Sequence, residues 1–499
     1  MPTLSLPRAV TDHRPRGARR DSKGIALALV LGAQLMIILD MTVVNIALPS
    51  IATGLHFSAP GLSWVLNAYT LTFGGLLLLG GRAGDILGRR RVFITGIVVF
   101  TLASLAGGLA TSSGWLLAAR AVQGAGGAIA SPAVLALINA SFTGQRERTR
   151  AIGIFTAVTM GGGSLGLVLG GLITQWVSWR WVLFINVPIG IAVALAAPLV
   201  LAESPRQPGR FDIAGALTST GGMTALVYGF IRAAAAGWGD SLAVLAFTAA
   251  VVLLGLFVVT ESRARQPITP LRLFTDRGRV AAYVSRLLII AGMFGMFFFL
   301  TQFVQDILGF SPLQAGVSFL PMTLVVLAMS RVAPRLLSWL SPKALMVTGL
   351  LPALAGMIWL SRVSPGSAYL TGVLGPMLLI GLGMGATVVP LTIAALAGVR
   401  PEDSGAASSM VNVTQQVGGS LGLAILVTAY TSADRDAAAH PAGHLPALAQ
   451  AHQAVVHGMS SAFTLSAIFY LGALAVILAV IRAPRPAASG YVVTGPAEG

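Results

Sequence analysis

No cysteine occurs anywhere in the chain, so no disulfide framework staples it and no thiolate is available to a metal. Charge is scarce too: 10% of the 499 residues are Asp, Glu, Lys or Arg, against roughly a quarter in soluble domains. Acid is the scarcer sign, with 16 Asp and Glu against 32 Lys and Arg. The six histidines, His13, His56, His440, His444, His452 and His457, fall in tails, loops or a helix end, so no metal site is expected. The segment "SADRDAAAHPAGHLPALAQAHQAVVHG" that holds four of them reads as a solvated loop. No GxxxxGK[ST] stretch is present, which argues against a built-in ATPase. No Ser/His/Asp or paired-carboxylate constellation falls in the apolar segments, which argues against an enzyme. The net charge of +16 raises nucleic acid as a partner. That reading needs a basic face, whereas these residues cluster briefly between long apolar runs, so no nucleic-acid partner is expected.

What is abundant is apolar surface: 55% of residues are hydrophobic and the mean hydropathy is +0.83. The composition is that of an all-α polytopic membrane protein. The basic tail "RPRGARRDSKG" before the first apolar run resembles a signal peptide superficially. The run continues past the 7–15 residues of a signal h-region and reads as a first spanning helix. At about 20 apolar residues per span, fourteen segments fall near 25–48, 62–81, 92–111, 115–139, 151–174, 181–201, 213–234, 242–260, 281–303, 313–333, 344–361, 368–397, 405–429 and 459–481. An even count puts both termini on one side. With that side cytoplasmic, about 26 of the 32 basic residues fall inside, and Arg180, Arg232, Arg362 and Arg435 lie at or near the outside.

The hexapeptide GGSLGL occurs twice, at Gly162–Leu167 and Gly418–Leu423, in the fifth and thirteenth segments. The preceding segments match as well, "GAGGAIASP" with "GLGMGATVVP", each followed by a polar inner loop. An offset of eight implies two six-helix halves separated by an inserted pair, and parallel halves are a known transporter plan. The expected organisation is a basic cytoplasmic tail (1–24), a first six-helix bundle (25–201), inserted helices seven and eight with their loops (202–279), a second six-helix bundle (280–483) and a cytoplasmic tail (484–499).

Several stretches carry a resemblance to a known family. "GRAGDILGRRR" follows the second segment: Gly81, Gly84 and Gly88 permit a tight turn and close helix approach, Asp85 can bond backbone or basic neighbours, and Arg89, Arg90 and Arg91 suit an anionic leaflet. "LDMTVVNIALPSI" places Asp40, Asn45 and Pro49 in the first segment, "RAVQGAGG" places Arg120, Gln123 and Gly124 in the fourth, and "WRWVLFINVPIG" leads into the sixth. Together they resemble the major facilitator superfamily, specifically its fourteen-helix drug:proton antiporters. The resemblance implies a major facilitator fold with a gating loop at Gly81–Arg91. One departure stands out: the antiporter motif of the fifth helix reads glycine-proline where this chain has Gly166 and Leu167. Gly162, Gly163, Gly166, Gly170 and Gly171 retain close packing there, while the proline kink is gone.

Asp40 is the one acid clearly within an apolar span. A carboxylate in hydrocarbon is costly unless neutralised, paired or hydrated, and protonation is the cheapest remedy. Asp40 lies about 20–24 Å from the inner face and Arg120 about 8–10 Å from the outer face, at 1.5 Å per residue across a core about 30 Å thick. The resemblance puts both side chains on one water-accessible wall, with Asp40 exchanging protons and Arg120 modulating it; a static structural ion pair is the alternative. For the substrate cavity the candidates are Asn45, Gln123, Met293, Met296, Phe297 and Gln302. "GMFGMFFFL" offers adaptable thioethers and aromatic faces to a lipophilic or cationic compound, and suits a lipid-facing stripe equally well. Trp64 and Tyr69 read as interfacial anchors near the outer entrance.

The function expected is efflux of amphipathic or cationic small molecules, drugs or antibiotics among them, by alternating access in a bacterial-type plasma membrane. Protons are the coupling ion, lipids the surroundings, a monomer the expected state, and no cofactor or metal is required. The alternatives are a dedicated exporter of one lipid, siderophore or endogenous antibiotic, and a transport-inactive sensor or scaffold.

Overall fold

A computed structural model describes residues 16–142, 144–203, 212–264, 270–400, 404–439 and 446–481. Residues 1–15 and 482–499 of the expected tails lie outside the described residues, as do His440 and His444. The rest of the first tail, 16–24, is already helical, and the expected solvated loop is helical at 432–439 and from Ala447 on, so His452 and His457 lie on a helix. Among the described residues the chain is helical throughout, with no strand. Fourteen rods follow one another: α1 (Arg16–Leu55), α2 (Trp64–Leu87), α3 (Arg89–Gly108), α4 (Ser113–Ser141), α5 (Gln145–Trp176), α6 (Asn186–Val200), α7 (Ile213–Ala236), α8 (Ser241–Arg263), α9 (Arg277–Gln302), α10 (Leu320–Leu336), α11 (Pro342–Leu360), α12 (Gly375–Leu396), α13 (Ser404–Ala439) and α14 (Ala447–Val480). Short turns at Trp181–Phe184 and Pro312–Ser318 lead into α6 and α10, and single π-turns extend α9 and open α12. Twelve stretches are long and apolar enough to cross a membrane; α5 and α7, of 32 and 24 residues, complete the set of rods.

Packing repeats with the offset of eight. In the first half α1 packs on α5 and α6, and α4 on α2 and α3; in the second α9 packs on α13 and α14, and α12 on α10 and α11. The duplicated hexapeptide lies at the same joint in each half. A Cβ at Gly162 would stand 3.0 Å from Leu35 of α1, and one at Gly418 would stand 2.7 Å from the carbonyl of Leu287 of α9. Gly166 likewise meets Thr42, and Gly422 meets Ala291. Small residues let these backbones approach closely, which is how helices associate where lipid offers no hydrophobic drive. Gly170 continues the stripe against Val43, Gly171 turns to Pro312 and Leu313 of the other half, and Gly163 faces open space. With Leu167 in place of a proline, α5 runs unbroken from 145 to 176.

Hydrogen bonds tie the halves together toward the end of the bundle opposite the Gly81–Arg91 loop. Thr301 of α9 donates to Asn45 of α1 at 2.8 Å, Gln305 to the carbonyl of Ile46 at 3.0 Å, and the Leu313 amide to Gln175 at 3.2 Å. Thr70 of α2 also bonds Ser420 of α13. The pair α7–α8 lies over the seam where α2 meets α13. Thr428 and Arg435 of α13 donate to the carbonyls of Phe230 and Ala235, and Thr220 fits against Gly75 of α2. An apolar crevice of about 180 Å³ remains there, lined by Gly74, Leu78, Met223, Leu254 and Met410 among others. In the turn between α7 and α8, Asp240 caps α8 and accepts from Arg232 at 2.9 and 3.1 Å. That hydrogen bond holds the Asp240 carboxyl below its ordinary range.

Candidate functional site

The pairing of Asp40 with Arg120 is formed. Arg120 Nη1 lies 2.5 Å from Asp40 Oδ2, while Asp40 Oδ1 accepts from Gln123 Nε2 at 2.7 Å and from Asn186 Nδ2 at 2.9 Å. Ser104 of α3 accepts from the same two amides and donates to the Leu183 carbonyl at 2.8 Å. Arg120 also donates to the Val65 carbonyl and to Gln123 Oε1, and its guanidinium lies 4.5 Å from the centroid of the Tyr69 ring. Five helices of the first half, α1, α2, α3, α4 and α6, therefore meet at one ion pair. Every group that touches the carboxylate is a donor, so in this arrangement a proton on Asp40 has no acceptor.

The water-accessible wall expected for this pair is not where it sits. Asp40 is 0% exposed and Arg120 1%. The carboxylate points from α1 into its own half, toward α3 and α6, and away from α9. Tyr69 corrects a second expectation: it is fully buried beneath Arg120, stacked on Phe73 and edge-on to Phe100, rather than anchored at an interface. Trp64 is half-buried and packs on Tyr228 of α7.

The remaining candidates divide. Gln123 belongs to the ion-pair network, and Asn45 to the seam between the halves. Met296 is buried, Met293 is half-buried, Phe297 stacks on Phe319 at 5.3 Å, and Gln302 bonds the carbonyl of Phe298 on its own helix.

In the loop Gly81–Arg91 the expected turn and the Asp85 pairing are present, and Glu203 adds a partner that was not expected. Gly88 makes the turn at φ +103°, a conformation L-residues with side chains avoid. The close approach between helices falls at Gly80, whose Cβ would collide with the backbone of Ala128, while Gly81 and Gly84 meet only side chains or Arg89 at ordinary distance. Asp85 pairs with Arg89 at 3.1 Å. Glu203, beyond α6, accepts from the Arg90 amide at 3.1 Å and faces the Arg90 and Arg91 guanidinia, and Arg90 reaches the carbonyls of Pro198 and Leu201. The loop is thus fastened to the end of α6.

Three residues with evident roles were not singled out from sequence. Ser104 and Asn186 complete the Asp40 network; Asn186 lies inside the quoted "WRWVLFINVPIG". Arg286 of α9 is a buried guanidinium in the second half. Its Nη2 donates to Gln415 of α13 at 3.0 Å and its Nη1 to Thr392 of α12 at 3.5 Å.

A family model described as Major Facilitator Superfamily matches residues 30–423. The chain is 42% identical over 480 residues to the puromycin resistance protein of Streptomyces alboniger, covering 95% of this chain and 94% of that one. It is 42% identical over 434 residues to the cephamycin export protein of Amycolatopsis lactamdurans (86% and 89% covered), and 34% identical over 417 residues to the tetracenomycin C resistance and export protein of Streptomyces glaucescens (83% and 77%). The fold is similar to that of a bacterial homologue of the human lysosomal transporter Spinster in an inward-facing, unoccupied conformation. That likeness has a TM-score of 0.64 at 17% identity, covering 93% of this chain and 99% of that one.

Proposed function

The chain belongs to the major facilitator superfamily, and on that premise we propose that it is a proton-coupled exporter of amphipathic small molecules, antibiotics among them. It works in a bacterial plasma membrane with fourteen spans, both termini in the cytoplasm, no cofactor, and as a monomer. Relatives named for antibiotic resistance and export support the efflux reading, and the basic loops support the orientation.

The observation that carries proton coupling is the Asp40–Arg120 pair, fully desolvated within spanning helices. Breaking such a pair at one partner is costly, and ionisable groups inside a membrane mark ion pathways. In the state closed at the Asn45–Thr301 end, the network holds the carboxylate with donors alone. Protonation then belongs to the opposite state, in which the network opens, Asp40 gains a proton and Arg120 is released. Each proton moved inward contributes about 2.3 kcal/mol per 100 mV, enough for roughly a fiftyfold substrate gradient at that potential.

The relatives' names mention puromycin, cephamycin and tetracenomycin C singly. This favours, as a second reading, a dedicated exporter of one compound. The test is a pH-gradient-driven transport assay in liposomes with a lipophilic cationic dye, comparing wild type with Asp40→Asn. Gradient-free counterflow serves as the control for folding. Loss of gradient-driven transport with counterflow retained is expected. Equal gradient-driven transport in both proteins sinks the proton role, and absence of any dye movement in folded wild type favours a narrow substrate or a non-transport role.

A further inference from the structure

Arg286 is 9% exposed, yet no carboxylate lies within ion-pair distance of it among the described residues. Its two contacts are neutral, Gln415 Oε1 and Thr392 Oγ1, and its Nε has no partner at all. The contrast with Arg120 is instructive. Each guanidinium sits at membrane depth, but Arg120 has a carboxylate, a carbonyl, an amide oxygen and an aromatic face, while Arg286 has one good hydrogen bond and one long one. A buried charge is retained without a counterion at considerable cost, so a site that keeps one is set to receive an anion.

The direction of the side chain fits that purpose. On α9, Leu287 and Ala291 meet Gly418 and Gly422 of α13, while Ser285 and Gly292 meet α14. Arg286, Met293 and Phe297 follow at i, i+7 and i+11, which stacks them on one helical face away from α14. Farther along the same helix, Thr301 reaches across to Asn45 of the first half. The stripe therefore begins with a guanidinium and continues through a half-buried thioether to a half-buried aromatic ring, on the helix whose Thr301 bonds Asn45 of the first half. Gln415 and Thr392, both half-buried, flank the charged end with polar atoms.

We infer that Arg286 is the binding site for the anionic group of an amphipathic organic anion, whose lipophilic body lies along Met293 and Phe297. This rests on the efflux reading above and names a substrate class for it: a compact carboxylate, sulfonate or phosphate on an aromatic or aliphatic body. A planar guanidinium receives such groups through two parallel hydrogen bonds, and Met and Phe accept varied apolar bodies.

The test uses the full chain in nanodiscs of zwitterionic lipid, with fluorescein as the anionic probe and ethidium as the cationic one, read by fluorescence anisotropy. Arg286→Gln removes a buried charge and keeps a partner for Gln415, so the variant is expected to fold; Arg286→Lys keeps the charge and loses the fork. Wild type should bind fluorescein, Arg286→Gln should lose about tenfold or more in affinity, and Arg286→Lys should fall between. Ethidium binding should change less than about twofold, as for a site away from the lost charge. Competition by added phosphatidylglycerol against fluorescein also supports the anion site and gives its occupant as a lipid headgroup. Equal loss of both probes in Arg286→Gln, or wild type that binds ethidium and not fluorescein, overturns the inference. The efflux reading is judged apart, by pH-gradient-driven dye transport in wild-type liposomes. Fluorescein binding with no gradient-driven transport of either fluorescein or the cationic dye leaves the site standing and counts against the broad efflux reading.

Discussion

Replacing Asp40 by Asn should destabilise the protein through Arg120 rather than through Asp40 itself. The carboxylate receives three hydrogen bonds, at 2.5, 2.7 and 2.9 Å. An amide offers one oxygen, and if that oxygen serves Gln123 and Asn186, its nitrogen faces the Arg120 guanidinium, donor to donor. The larger loss is the counterion, because a guanidinium 1% exposed remains charged with no anion beside it. Removing one partner of a buried pair costs about 3–5 kcal/mol. Melting temperatures move about 2–4 °C per kcal/mol for 150–250 residues and less for a longer chain. The apparent Tm in detergent, followed by tryptophan fluorescence, should therefore fall by roughly 3–10 °C. Adding Arg120→Gln restores neutrality and hydrogen-bonding capacity, so the double variant should be more stable than Asp40→Asn alone, with a coupling energy of about 2–3 kcal/mol. Strict additivity of the two substitutions, or an Asp40→Asn variant as stable as wild type, would refute the assignment of a fully desolvated, mutually dependent pair.

Because the chain lacks cysteine, Asn45→Cys with Thr301→Cys introduces the two thiols alone. A short bis-methanethiosulfonate, which forms a disulfide with each thiol, should join them and stop transport, and reduction with excess dithiothreitol should restore it, as measured by dye flux. Gly170→Ala puts a Cβ 2.9 Å from the backbone of Val43, whereas Gly163→Ala meets open space. The first should cost about 1–3 kcal/mol and the second within about 0.5 kcal/mol, compared by thermal unfolding. Asp240, with its carboxyl lowered by the Arg232 hydrogen bond, contributes stability that is present above its unfolded value of 3.8 and is lost as pH falls through the lower folded value. A carboxyl NMR titration should follow that lowered value in wild type and return toward 3.8 in Arg232→Gln.

The helical rods were legible because hydropathy reports them directly: all fourteen sequence segments coincide with rods, including the glycine-rich fifth and seventh. The repeat was legible because close packing requires small residues at a fixed place, and Gly162 and Gly418 occupy the same joint. The Asp40–Arg120 contact followed from depth along two helices together with the family resemblance, which put the first and fourth helices on one wall. Its surroundings did not, since Ser104 and Asn186 are ordinary small polar residues whose convergence depends on how α3 and α6 pack. Arg286 was missed for a different reason. It lies nine residues after Arg277 and seven after Arg279, so it reads as the trailing edge of a basic loop, and a search for buried acids passes over a buried base. Its signal was the i, i+7, i+11 relation to Met293 and Phe297, already in the quoted stretch. Tyr69 was misplaced because an aromatic near the end of a span looks the same whether it faces lipid headgroups or a buried guanidinium.

The helices α7 and α8 break the balance of a two-fold design. A bundle of two similar halves presents two flanks to the bilayer, one at α2 and α13 and the other at α5 and α10. The inserted pair is bonded to α13 and pressed against α2, so it panels over the first flank. The second flank carries no such cover among the described helices. The two flanks therefore differ in build: the first carries two extra helices over a crevice, while at the second α5 packs directly on the turn Pro312–Ser318 of the other half, with Gly171 against Pro312 and Gln175 bonded to the Leu313 amide. The inserted helices thus give the bundle a polarity within the plane of the bilayer, separate from the inside-to-outside one.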